Sequence, residues 1–165
     1  MYDLKPLSAN AIPAAMEKAL RYRLLNEPGE AESICLDILA AEPDNQKALV
    51  LLLLAMTDRF GKGYALSAMR VHEVLGQLRD EYERYYYSGI VCERNGKFRL
   101  HQGLPGSGFA AYELLQEAMD WYEKAEKIRP SGNDDALLRW NACARLIMGN
   151  HLSPRPAENY VPALE

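Results

Sequence analysis

The chain contains 165 residues, with 19 Lys and Arg against 23 Asp and Glu, which gives a formal net charge of −4. This length suits one domain, and a hydrophobic share of 48% excludes wholesale disorder. The acidic balance argues against a general nucleic-acid binder, which needs a cationic face to displace counterions from phosphates. The composition therefore favours a protein or peptide partner and no nucleic acid.

Apolar residues recur at three- and four-residue spacing along nearly the whole chain, which predicts an all-α fold of about seven helices. Proline, glycine and asparagine mark the helix ends. The first predicted helix spans about 10–25, a second follows immediately and stops at Glu42, and a third holds the apolar run 48–56 and ends near Asp58. The later predicted helices span about 64–78, 80–94, 107–128 and 133–149.

One stretch breaks this rhythm. Asn95-Gly96 is predicted to stop the fifth helix, and residues 97–108, which include three glycines and a proline, are predicted to form a loop insertion. Ser107 is predicted to be the N-cap of the sixth helix. The stretch also carries a basic cluster around Phe98, so three interpretations stay open: a solvated insertion, a loop that contacts a partner, or an anion site at the helix N-terminus.

Two short segments flank the helical domain, which is predicted to span 10–149. Residues 1–9 precede it and show no basic segment followed by an apolar stretch, which argues against secretion. Residues 150–165 contain three prolines and are predicted to be an extended tail. The apolar run 48–56 is about half of the roughly 20 residues that a membrane-spanning helix needs. We therefore expect a cytoplasmic protein with no membrane association.

Cysteine and histidine patterns predict no catalytic or metal site. Cys35, Cys92 and Cys143 lie far apart with no CxxC pair, and they are interpreted as small buried hydrophobic residues. No histidine is paired in sequence with a Cys or carboxylate in a pattern typical of a nucleophile or metal ligand. The expectation is a protein that is not an enzyme and uses no cofactor.

An internal repeat is the most informative pattern in the chain. Glu30-Ala31 is followed by Cys35, Ile38 and Pro43, and Glu117-Ala118 is followed at identical offsets by Tyr122, Ala125 and Pro130. The distance between the two copies fits two periods of about 34 residues with roughly 19 residues left over. About 17 of these fit the glycine-rich stretch and the early turns of the long sixth helix.

A period of about 34 residues, built from two helices and a proline stop, resembles the tetratricopeptide repeat family. In the fifth helix, Tyr85-x-x-Ser88-Gly89-x-x-Cys92 lies where the family places a large residue, a leucine, a glycine and a tyrosine, and Gly96 lies at the family's turn. Helix packing also explains a glycine at position 89, because closely packed helices need a small side chain where they approach each other. The resemblance covers about residues 10–149 as three repeats and a terminal helix.

The resemblance implies a right-handed superhelix, an α-solenoid, whose first helices line a concave groove. Mapped onto this chain, the groove is expected to bind a peptide or helix of a partner through apolar and charged residues. The predicted binding residues are Arg23, Lys47, Val50, Leu54, Asp58, Glu83, Tyr86, Ile90 and Arg94. The alternative is that the apolar members of this set are simply core residues of a tightly closed stack.

Four tyrosines within six residues form a second candidate surface. Tyr82 and Tyr85 are expected to pack inside, while Tyr86 or Tyr87 is expected to be partly exposed and able to anchor a partner. The alternative interpretation is that the tyrosines bridge core and solvent.

The leading hypothesis is a non-catalytic adaptor or scaffold that presents the groove to a partner. A second hypothesis is a homodimer formed through the terminal helix, whose apolar residues exceed one packing face. A third is that the tail 150–165 occupies its own groove as an autoinhibitor through Tyr160, Val161 and Leu164.

Overall fold

The computed structural model describes residues 2–62 and 68–157, and these residues form α-helices with no strand among them. The helices occur in seven segments, as the periodicity predicts, together with two short 3-10 turns. The α-helices are α1 (Ile12–Leu24), α2 (Pro28–Ala41), α3 (Gln46–Asp58), α4 (Ala68–Gln77), α5 (Glu81–Gln102), α6 (Ser107–Lys127) and α7 (Asp135–Gly149). Consecutive helices pack against each other as pairs along the chain. The all-α prediction is therefore confirmed.

Side-chain caps fix where several helices begin. The Asn45 side-chain oxygen Oδ1 accepts a hydrogen bond from the Ala48 N–H at 3.0 Å, which starts α3. Asp80 accepts from the N–H groups of Tyr82 and Glu83, which starts α5. Pro28 begins α2, where its missing N–H costs no helical hydrogen bond.

The predicted end of the fifth helix and the predicted loop over 97–108 are wrong. The helix α5 continues through Asn95-Gly96 to Gln102, and only residues 103–106 connect it to α6. Gly103, with φ of 61°, takes the left-handed conformation that ends the helix. The predicted cap at Ser107 is also wrong, because Ser107 is already helical and the N-cap is Gly106, with φ of 78°.

The reason for this difference lies in how α5 packs on α6. A Cβ placed on Gly96 would lie 3.2 Å from the Leu115 Cγ and 3.3 Å from the Leu114 Cβ, so the glycine is needed for close approach rather than for a turn. Gly89, two turns earlier on the same face, packs in the same way against Tyr122. The residues in excess of the period of about 34 residues therefore lengthen α5 and α6. These helices contain 22 and 21 residues, whereas α1 and α2 contain 13 and 14.

The repeat template identifies the most buried positions of two helices. Ala31, Cys35 and Ile38 of α2 have no exposed surface, and neither do the corresponding residues of α6, which are Ala118, Tyr122 and Ala125. Gly89 was predicted from sequence to lie at a close helix approach, and this prediction is confirmed. The two copies of the template are thus equally buried in α2 and α6.

The core divides along the chain. One cluster of buried residues joins α1, α2, α3 and α4 around Leu49, Leu53 and Met56. A second joins α5, α6 and α7 around Leu115 and Tyr122. The prediction of buried cysteines is confirmed for Cys35 and Cys143, whereas Cys92 is half-buried.

Two predicted features lie wholly or partly outside the described residues. Residues 63–67, which open the predicted fourth helix, are one, and the second half of the tail 150–165, which includes Tyr160, Val161 and Leu164, is the other. The described part of the tail, 150–157, forms no helix, and its Leu152 packs against the α5–α7 cluster.

Candidate functional site

The first of two neighbouring pockets lies against α1, α3 and α5 and has a volume of about 410 Å³. We call it the apolar pocket, because its lining includes the apolar side chains of Met16, Leu20, Val50, Leu51 and Leu54. Leu20 leaves 48% of its surface exposed in this wall, whereas Leu51 is buried.

Charged side chains rim the apolar pocket. Glu17, Arg23, Lys47 and Glu83 also line it. Burial raises the pKa of the Glu83 carboxyl above its usual value, and the nearby Asp80 carboxylate raises it further. An apolar floor with a charged rim is typical of a surface that binds an amphipathic segment.

The second pocket lies against α3, α5 and α7 and also has a volume of about 410 Å³. We call it the cationic pocket, because Arg94, Lys97, His101 and Arg139 line it with one carboxylate, that of Asp58. Its apolar wall is formed by Phe60 and Phe98, whose rings stack with centroids 6.0 Å apart.

An ion-pair triad links the two pockets. The Arg23 Nε donates to Asp58 Oδ2 at 2.7 Å, and the Arg94 Nη1 donates to Asp58 Oδ1 at 2.6 Å. The same Arg94 nitrogen lies 3.0 Å from the Leu54 carbonyl oxygen and 2.6 Å from the Thr57 hydroxyl. Burial lowers the pKa of Arg94, and the Asp58 carboxylate opposes that shift. The triad thus ties α1 and α5 to the C-terminal end of α3.

A buried carboxylate lies beneath the cationic pocket. Glu93 is 1% exposed, and its Oε2 accepts a hydrogen bond from the Tyr122 hydroxyl at 2.6 Å. Its Oε1 accepts from Lys97 and, at 3.3 Å, from Arg139. Burial and the Glu93 charge both raise the pKa of the Tyr122 phenol, which therefore stays protonated as the donor. Glu93 holds Lys97 and Arg139 together at the floor of the pocket.

The structure brings most of the predicted binding residues to these two pockets. The residues that line one or the other are Arg23, Lys47, Val50, Leu54, Asp58, Glu83 and Arg94. Ile90 is an error of the prediction, because it is 2% exposed and belongs to the α5–α7 core. Tyr86 lines neither pocket as described; it packs between Tyr82, Tyr87 and Tyr122.

The tyrosine cluster differs in part from its prediction. All four tyrosines are half-buried, and Tyr87 is the member that lines the apolar pocket. Tyr85, expected inside, stacks on Trp121 and donates from its hydroxyl to Glu81 at 2.8 Å on the surface. Burial raises the pKa of Tyr87 to about 12.

Arg139 is the site residue that sequence reasoning missed. It lies on α7, which the sequence predicts as the terminal helix of the repeat domain and a candidate for self-association. The signal that could have found it is the predicted repeat, which would make α7 the first helix of a further pair after α5 and α6. Lys97 was seen only as part of the basic stretch, since that stretch was predicted to be a loop.

Burial is the main cause that raises the pKa of each cysteine thiol to about 12, so thiolate is scarce at neutral pH. Among residues 2–62 and 68–157, no group of three or more His, Cys, Asp or Glu residues is placed to hold a metal ion. No helix in the same ranges is long and apolar enough to cross a membrane. Comparison of the chain with family models, curated proteins and solved structures gave no match.

Proposed function

We propose that this chain is a non-catalytic protein-interaction module that binds an amphipathic peptide or helix of a partner across the apolar and cationic pockets. The observation that carries the proposal is the pairing of an apolar pocket wall, in which Leu20 is exposed, with an adjacent pocket of positive charge. An amphipathic segment presents both kinds of group on one face, so a single ligand can satisfy both pockets.

We further propose that the helix pairs form a tetratricopeptide-like, right-handed solenoid with the two pockets on its concave side. Two facts support this proposal. The template residues of α2 and α6 are fully buried at identical offsets. Both pockets are formed mainly by α1, α3, α5 and α7, which are the first helices of successive pairs.

The test uses peptides selected by display from a random 12-residue library against the full chain. Leu20→Glu places a charge in the apolar pocket and should weaken the selected peptides at least about tenfold, as measured by fluorescence anisotropy. Leu36→Glu is the matched control, because Leu36 is 42% exposed on α2 and lines neither pocket. If both variants bind the peptides like the unmodified chain, the apolar pocket is not the binding site.

Self-association through α7 is a second candidate. Leu138 and Met148 are 61% and 65% exposed, and Leu137 and Trp140 line a further pocket of about 400 Å³ beside α6. These residues lie on the last described helix, where another helix pair or a second copy could pack. Light scattering of the chain and of Leu138→Glu tests this candidate, and a concentration-independent monomer rejects it.

A further inference from the structure

The charges around the cationic pocket do not balance among themselves. Arg23 and Arg94 share the single carboxylate of Asp58. Lys97 and Arg139 share a single oxygen of Glu93, whose other oxygen is occupied by the Tyr122 hydroxyl. Arg94, Lys97 and Arg139 line the cationic pocket and are held by these two carboxylates, which leaves one positive charge there on a chain whose formal net charge is −4.

Two of these cations can reach a ligand. Lys97 and Arg139 keep 36% and 42% of their side-chain surface exposed, whereas the Glu93 side chain that anchors them keeps 1%. Arg139 also forms a hydrogen bond with the Tyr86 side chain, and each cation keeps further N–H donors beyond these contacts. Because Glu93 fixes both side chains from below, they present these donors to the pocket with less rotational freedom to lose on binding.

The surroundings favour a carboxylate on a peptide over a polyanion. The cationic pocket adjoins the apolar pocket, whose rim includes the carboxylates of Glu17 and Glu83. A chain of phosphates that crossed both pockets would meet those carboxylates, whereas a single acidic side chain next to apolar ones would not. The planar Arg139 guanidinium also matches a carboxylate with two parallel hydrogen bonds.

We infer that the cationic pocket receives the side-chain carboxylate of a Glu or Asp in the partner segment whose apolar residues occupy the apolar pocket. The inference rests on the proposed function and deepens it, because it assigns the ligand an internal acidic residue beside its apolar anchors. Arg139 and Lys97 are the groups that contact this carboxylate, and Glu93 is a positioning residue.

The experiment is a double-mutant cycle on a display-selected peptide that contains an acidic residue. Replacing that residue with its amide should weaken binding about tenfold on the unmodified chain, which is the size of a charge-assisted hydrogen bond. On the Arg139→Gln variant the same replacement should change affinity less than about twofold. Arg145→Gln is the control on the same helix, because Arg145 is exposed and lines neither pocket. Circular dichroism and urea midpoints verify that each variant is folded, and Lys97→Gln provides a second variant.

The outcomes separate the inference from the proposed function. Two results would overturn the carboxylate assignment while Leu20→Glu still abolishes binding, so that the binding module stands. One is that the selected peptides lack acidic residues. The other is that the amide replacement lowers affinity equally on the unmodified chain and on Arg139→Gln. If Leu20→Glu has no effect, the proposed function itself fails. The last measurement uses a peptide with phosphoserine in place of the acidic residue. If this peptide binds the chain more than about tenfold tighter than the peptide with the acidic residue, the carboxylate assignment is overturned in favour of a phosphate ligand.

Discussion

Gly89→Ala tests the packing on which the long helix pair depends. A Cβ at this position would lie 2.7 Å from the Tyr122 Cδ1 and 2.8 Å from its Cζ, distances that real Cβ atoms essentially never show. Tyr122 has no room to move, because its side chain is fully buried and its hydroxyl is bound to Glu93. The added methyl group must therefore separate α5 from α6 or displace the tyrosine from Glu93.

The size of the effect follows from three contributions. Overpacking costs about 1–3 kcal/mol, and weakening a hydrogen bond to a charged group costs about 1.5–3 kcal/mol. Alanine regains about 1 kcal/mol of helix propensity relative to glycine. We expect a net loss of about 3 kcal/mol in the free energy of unfolding, which corresponds to a melting temperature lower by about 6–12 °C for a chain of this size.

Urea unfolding followed by circular dichroism measures this loss, with Gly76→Ala as the control. Gly76 lies inside α4 with nothing within 4 Å of its added Cβ, so its replacement should be neutral or stabilise the chain by up to about 1 kcal/mol. In a Tyr122→Leu background the cost of Gly89→Ala should shrink, because the clashing ring is gone. Equal midpoints for Gly89→Ala and Gly76→Ala would refute the close approach of α5 and α6.

Two further predictions concern the buried carboxylate and the response to pH. Glu93→Gln should lower the free energy of unfolding by about 2 kcal/mol, because Lys97 and Arg139 lose their shared charge partner; a urea midpoint within error of the unmodified chain would contradict this role. The urea midpoint should also fall as the pH rises above about 9, because the folded-state pKa values of the three cysteines and of Tyr87, each about 12, exceed the unfolded values of 9.0 and 10.0. Below about pH 9 these protonated groups contribute to the free energy of unfolding, and this contribution is lost as the pH approaches about 12. A urea midpoint that stays constant up to a pH of about 11 would contradict their burial.

The sequence predicted the helical elements well where local signals and packing agree. Apolar periodicity located the seven helices that residues 2–62 and 68–157 form, and the repeat offsets identified fully buried positions such as Cys35 and Tyr122. The prediction for Gly89 also succeeded, because a glycine within an apolar helix pattern has few explanations other than close packing. The helix positions, the buried template residues and Gly89 could be predicted because each depends on residues that are close in sequence or lie on one face of a single helix.

The candidate site could be predicted only in part. Seven of the nine predicted binding residues line the two pockets, since helical spacing placed them on one side of their helices. Ile90 is separated from that side by the packing of α5 against α6 and α7, which spacing alone does not show. Arg139 could not be assigned without knowing that α7 reaches Glu93 of α5.

The amino-acid sequence by itself determined the helical class, the approximate boundaries of the described helices apart from the end of α5, and the role of Gly89 where two helices approach. Only the tertiary structure decided whether Gly96 ends a helix or packs inside one, because a glycine permits either, and the neighbouring Leu115 selects packing. It also decided the charge arrangement. In the sequence Glu93 and Asp58 resemble the many other carboxylates of the chain, and only the meeting of three helices at each of them turns them into shared partners of four cations. The surplus of positive charge at the proposed site is therefore a property of the fold, in a chain whose composition is acidic.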